Sequence, residues 1–132
     1  LKRIAKAEGV YDDMRFQDEI AKLEVDIIAL EMMVLRVLSA EKSGKQSLDI
    51  AGLLKIRGSE IQQRYSELMM LAAGPFSLPF IYEAMDAGWQ GDHVGAAHCA
   101  PLASTYFNMR KTTIYGGSNE VQRNIVAKTV LG

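Results

Sequence analysis

Phe16-Gln17-Asp18-Glu19-Ile20-Ala21-Lys22-Leu23-Glu24-Val25-Asp26-Ile27-Ile28-Ala29-Leu30-Glu31-Met32-Met33-Val34-Leu35-Arg36-Val37 is the stretch that decides the fold class. Within it Phe16, Ile20, Leu23, Ile27, Leu30, Val34 and Val37 recur in steps of four and three, which places them on one stripe of an α-helix. A half-buried strand would alternate every second residue, and no segment of the sequence does so. Burying each of these side chains contributes about 1.5–3 kcal/mol before conformational entropy is charged, so the stripe requires a partner helix. Asp12 or Asp13 can cap this helix by accepting a bond from a free first-turn N–H, and the pattern reaches about Glu41. Asp18, Lys22, Glu24, Asp26, Glu31 and Arg36 mostly take the opposite, solvated face.

Outward from this helix, Ser43-Gly44-Lys45-Gln46 carries turn chemistry, and Ser47 with Asp49 supplies a cap and a first-turn charge for a second helix running to about Ala73. Its apolar positions are Ile50, Leu54, Ile61, Tyr65, Leu68 and Ala72. Gly58 sits mid-helix at about 1 kcal/mol relative to Ala, and close helix–helix contact is the expected reason. Two such helices form an antiparallel pair that needs at least one further element to enclose it. From 74 to 101, Pro75, Pro79, Gly88, Gly91, Gly95 and Pro101 break every period, which predicts a loop with one helical turn near 82–87, anchored by Tyr82 and Trp89. A short helix over 101–110 carries Leu102, Tyr106 and Met109. The last helix starts at Ser118 or Asn119, with Glu120 at its positive end and Val121, Ile125 and Thr129, widened by Val126 and Val130, as its inner stripe. The class is all-α, one domain over 1–132.

The composition fits that reading: 132 residues, 48% hydrophobic and 23% charged, suit one folded core. Fifteen Lys and Arg against sixteen Asp and Glu give a net charge of −1, without the basic footprint of a nucleic-acid binder. A single cysteine, Cys99, forms no internal disulfide and makes the cytoplasm the default compartment. His93, His98 and Cys99 match no zinc spacing and have no acidic or histidine partner nearby in sequence, so no metal is expected. No stretch approaches the roughly 18 apolar residues of a membrane span, and the start Leu1-Lys2-Arg3-Ile4 reads as a cut end. The seven methionines, Met32-Met33 and Met69-Met70 among them, read first as core filling and second as an adaptable wall for an acyl chain.

Thr112-Thr113-Ile114-Tyr115-Gly116-Gly117-Ser118-Asn119-Glu120-Val121-Gln122-Arg123-Asn124-Ile125 is a tight glycine turn delivering a capped helix start. Such a start points unpaired N–H groups and a positive dipole end outward, where a phosphate or the electron-rich edge of a flavin fits; a plain connection has the same pattern. Continued through Val126-Ala127-Lys128 and Val130-Leu131-Gly132, the run resembles the C-terminal motif of the acyl-CoA dehydrogenases. Phe16-Gln17, Leu23 and Leu30-Glu31 are similar to the first long helix of that family's C-terminal domain, and 55–62 to its second.

The resemblance implies a four-helix up-down bundle that, in complete members, follows an N-terminal helical domain and a middle β-domain. It implies FAD as cofactor, an acyl-CoA substrate undergoing α,β-dehydrogenation in fatty acid metabolism, an electron-transfer partner, and a homo-oligomer, dimer or tetramer. Gly117 would lie beside the acyl-CoA thioester, Tyr115 would line the reaction site, and Ser118 with Glu120 would meet the flavin nucleotide. Many members carry their catalytic glutamate where this sequence has Gly116, and glycine cannot act as a base. Some relatives lacking it there carry the base on the helix that opens this domain, which would lie upstream of Leu1. Of the family's Gln-x-x-Gly-Gly flavin contact only Gly74 survives in Met70-Leu71-Ala72-Ala73-Gly74, and Phe107-Asn108-Met109-Arg110 keeps only Arg110 of another common run. The arginine and phenylalanine that usually grip a neighbour's FAD have no counterparts among residues 1–10. The alternative is a helical assembly module that has lost flavin chemistry.

Overall fold

The computed structural model describes residues 1–42 and 48–131. The turn expected at 43–46 and the Ser47 cap lie outside the described residues, as do the side chains of Ile50 and Val130. Five α-helices carry the fold: α1 (Lys2–Ala7), α2 (Met14–Lys42), α3 (Leu48–Ala73), α4 (Leu102–Met109) and α5 (Asn119–Leu131). No strand occurs among the described residues, and the all-α class stands.

Of the two candidate caps it is Asp13 whose carboxylate accepts from the N–H groups of Arg15 (2.8 Å) and Phe16 (3.1 Å), which starts α2. Ile20 and Leu23 are buried against the core, and Phe16, Leu30 and Val37 are half-buried. Ile27 and Val34 lie at the margin instead, 43% and 39% exposed. The contact face drifts by one residue because Asp26, expected in solvent, turns to α3 and meets Arg57 at 2.5 Å. On the far side of α2, Val25, Ile28, Met32, Leu35 and Leu38 form a second apolar stripe that faces outward.

The helix pairings converge on α3, which packs against α1, α2, α4 and α5. A helix enclosed on several sides cannot show one clean stripe, and Ile56, Ser59, Ser66, Leu68, Ala72 and Ala73 are all buried. Its buried serines return their hydroxyls to the helix, Ser59 to the Ile56 carbonyl (2.8 Å) and Ser66 to that of Gln63 (2.9 Å). Tyr65, expected inside, is exposed. At one end Ile4 and Ala5 of α1, Ile20, Ala72, Ala73, Cys99 and Leu102 form a shared core.

The glycine expected to mark a tight helix crossing is not the one that does. A Cβ on Gly58 would meet only Leu30 Cδ2, at 4.0 Å, whereas one on Gly52 would lie 3.0 Å from Val126 Cγ2 and 3.1 Å from Gln122 Oε1. The close approach is therefore at Gly52, where α5 crosses α3. The same contact sets the inner face of α5: Asn119 is buried, Gln122 and Val126 are half-buried, and Val121, Ile125 and Thr129 are exposed. A hydrophobic period cannot reveal a face whose first residue is an asparagine.

Between α3 and α4 the chain takes short 3-10 turns at Gly74–Ser77, Tyr82–Met85 and Ala97–Cys99. Hydroxyls tether this segment: Ser77 donates to the carbonyls of Met70 and Gly74, and Ser104 to that of Ile81 at 2.7 Å. Trp89 is half-buried beside the His93 ring, but Tyr82 is 63% exposed.

Candidate functional site

Positioning of the glycine turn begins in the 3-10 turn Arg110–Thr113 that follows α4. The Arg110 guanidinium lies 4.1 Å over the Tyr106 ring and donates to the Gln63 carbonyl (2.8 Å) and the Ser66 hydroxyl (3.0 Å). Gln63 answers with its amide on the Arg110 carbonyl at 3.1 Å, and buried Thr112 donates to the Met109 carbonyl. The backbone is thus fixed to α3 before it reaches Tyr115.

Gly116 and Gly117 then take φ values of 67° and 86°, left-handed conformations that reverse the chain at little cost only for glycine. The two differ in surroundings. A Cβ on Gly117 would lie 2.8 Å from Gln122 Nε2, while one on Gly116 would meet nothing within 4 Å. Gln122 also donates to the Gly116 carbonyl (3.1 Å), so the loop is closed from α5 and its open side is Gly116.

Ser118 caps α5 by accepting from the Val121 N–H at 3.4 Å. Asn119, the other candidate cap, turns inward: its Oδ1 accepts from Lys55 Nζ (2.8 Å), and its amide meets the Ser59 hydroxyl (3.1 Å). The Glu120 carboxyl is held below its ordinary value of 4.5, first by its own backbone N–H and then by the Ser118 hydroxyl. An ionised carboxylate therefore already occupies the positive start of α5. That position favours a hydrogen-bond donor, such as a sugar hydroxyl, over a phosphate.

Between this turn and α3 lies an open cavity of about 250 Å³. Lys55, Gly58, Ser59 and Gln62 form its α3 side, and Thr112, Tyr115 and Gly116 close it opposite. No carboxylate or imidazole is among its lining residues. Of the residues picked from sequence, Tyr115 and Gly116 line this cavity, Gly117 and Ser118 follow them in the chain, and Glu120 is exposed on the first turn of α5. Gly74 is elsewhere. It lines a separate, apolar cavity of about 470 Å³ with Met70, Leu71 and Tyr106, roughly 18 Å farther along α3 than Gln62 at 1.5 Å per residue. Sequence reasoning missed Lys55, Ser59 and Asn119. The spacing of Lys55, Gly58, Ser59 and Gln62 on one helix face was the available signal, and Gly58 belongs to it as space for the cavity rather than as a packing notch.

The acidic partner that His98 and Cys99 lack in the neighbouring sequence is supplied by the fold. Glu8, at the end of α1, brings its Oε1 to 2.6 Å from His98 Nε2 and 3.9 Å from Cys99 Sγ. A sequence separation of 90 hides that acidic partner from any spacing argument. His93 is not part of the group; its ring meets the Gly95 carbonyl.

Residues 2–131 match the family described as acyl-CoA dehydrogenase, C-terminal domain. The chain is also similar, at 27% identity over all of its 132 residues, to the acyl-CoA dehydrogenase IpdE1 of Mycolicibacterium smegmatis. It spans 29% of that relative's length.

Proposed function

The chain belongs to the family of acyl-CoA dehydrogenase C-terminal domains, and on that premise we propose that residues 115–120 and the facing side of α3 form one wall of a flavin and acyl-thioester site in a larger dehydrogenase. The observation that carries this reading is the Gly116-Gly117 turn, rigidly held from α3 and α5 yet opening onto the cavity on the side of Gly116. The groups present fit the nucleotide part of FAD: the Glu120 carboxylate, oriented by the Ser118 hydroxyl, would accept from a nucleotide hydroxyl. When bound, FAD supplies the acceptor for the β-hydride of the acyl chain. The chain's own residues do the rest of this wall's work. The bare backbone at Gly116, on the open side of the turn and next to Gly117, would admit the thioester closely, and Tyr115 would border it.

Taking the α-proton needs a base, and this wall has none to offer, since Gly116 stands at the family's glutamate position and no lining residue is a carboxylate or a histidine. The resemblance to relatives that lack this glutamate implies a base on the helix that opens the domain. The chain alone would then neither hold FAD at micromolar concentration nor dehydrogenate an acyl-CoA. The outward apolar stripe of α2 supports a homo-oligomer, dimer or tetramer. Among the described residues no helix is long and apolar enough to cross a membrane, and the proposed compartment is the cytoplasm. Gly116 and that same stripe favour a second reading, a helical assembly module without flavin chemistry.

Flavin retention separates the two. In a protein carrying this chain with the upstream domains, Ser118→Ala is expected to weaken FAD binding by roughly 0.5–2 kcal/mol through loss of a cap and of the group that orients Glu120. Unchanged flavin occupancy would remove Ser118 and Glu120 from the site, and a colourless protein would favour the assembly module.

A further inference from the structure

We propose that Glu8, His98 and Cys99 form a zinc site that clips the end of α1 to the 97–99 turn. Their ligand atoms, a carboxylate oxygen, an imidazole nitrogen and a thiol sulfur, all lie within 4.8 Å of one another. These are the three donor types zinc takes, at about 2.0–2.2 Å for oxygen and nitrogen and about 2.3 Å for sulfur. Tetrahedral ligands at those lengths stand about 3.3–3.7 Å apart. The Glu8 oxygen is 3.9 Å from the sulfur and 2.6 Å from the imidazole, with all three ligand atoms within 4.8 Å, so admitting the ion takes a swing of the carboxylate away from the ring and an approach of the His98 and Cys99 side chains, each by about 1 Å. Glu8 is the capping residue that follows α1, and its side chain is partly exposed.

The surroundings suit an ion held by three protein ligands with its fourth position open. Cys99 is buried in the core shared by α1, α2, α3 and α4, while the His98 and Glu8 side chains reach the surface and leave an edge open to solvent for a fourth, water ligand. Binding replaces the Glu8–His98 hydrogen bond and the thiol proton: Zn²⁺ forms a bond to sulfur, the S–H bond breaks, and the proton leaves to solvent.

Cobalt(II) tests the assignment, because Cys99 is the sole cysteine and any thiolate-to-cobalt charge-transfer band reports that residue. Titrating Co²⁺ into the metal-free protein is expected to give that band in the near ultraviolet with tetrahedral visible bands, at one ion per chain, and Zn²⁺ is expected to displace both. Glu8→Gln, a change at a partly exposed position, should raise the dissociation constant at least tenfold, and Cys99→Ser should abolish the band. His93→Ala should leave affinity unchanged. Absence of the band at millimolar Co²⁺, one ion per two chains, or unaltered affinity in both Glu8→Gln and His98→Gln would overturn the proposal.

Discussion

Asn119 shows how a single polar residue fixes the site. It is buried, and through Lys55 and Ser59 it seats the start of α5 on α3 directly beneath the cavity. Replacing it with alanine leaves Ser59 and the Lys55 ammonium short of a partner. Asn119→Ala is therefore expected to cost about 1–3 kcal/mol in chemical denaturation, and a loss below about 0.5 kcal/mol would show that water replaces the amide freely. Glu120 makes a pH-dependent prediction. Its folded-state carboxyl is depressed below 4.5, so its contribution is present above that value and is lost as pH falls through the lower one. The melting temperature of the unaltered protein should exceed that of Glu120→Gln by a constant margin above about pH 5.5, and the margin should shrink below about pH 4. A margin that persists or grows in acid would contradict the capping role. The sequence left Ser118 and Asn119 as equal candidates for the cap. Only Ser59 and Lys55, some sixty residues away, separate them, and no local pattern contains that information.

At the scale of elements, the two glycines of α3 have opposite roles. Gly58→Ala places a methyl group in ordinary contact with Leu30 and gains helix propensity, so it is expected to raise stability by about 0.5–1 kcal/mol while narrowing the cavity. Gly52→Ala gains the same propensity but drives a methyl group against Val126 and Gln122. Thermal or urea denaturation should place it below Gly58→Ala by at least about 1 kcal/mol; the reverse order would mean that α5 does not cross at Gly52. Leu68, with 0% exposure, is expected to cost about 2–5 kcal/mol as Leu68→Ala. These helices were legible where one apolar face meets one partner, as in Ile20, Leu23 and Leu30 of α2. Legibility failed where a helix has several neighbours, as in α3, or where its inner face is polar, as in α5. Gly58 was noticed and misread because a glycine that leaves space for a cavity and one that admits a neighbouring helix look the same in sequence.

For the molecule as a whole, the inner stripe of α2 meets α3 while Val25, Ile28, Leu35 and Leu38 point outward, and Val25 is 65% exposed. A row of that kind on a 29-residue helix is more apolar surface than a monomer readily leaves in water. Ile28→Glu combined with Leu35→Glu should shift sedimentation toward the monomer without loss of helical circular dichroism; an unshifted distribution would place the contact elsewhere. The motif at 114–128 pointed to the family from sequence alone, and the all-α fold followed from period. The cavity did not follow, because it is made where 55–62 faces 112–116 and only packing brings these together. The central claim is that this wall shapes a flavin and thioester site but supplies no base. Its most direct test is anaerobic addition of an acyl-CoA to the flavin-loaded protein carrying this chain with its upstream domains, followed through the visible flavin band. The account predicts bleaching by the unaltered protein and slower bleaching in Gly116→Glu, where a second carboxylate crowds the thioester and perturbs the base. A band that stays unbleached with thioester bound, or bleaching that accelerates in Gly116→Glu, would contradict it.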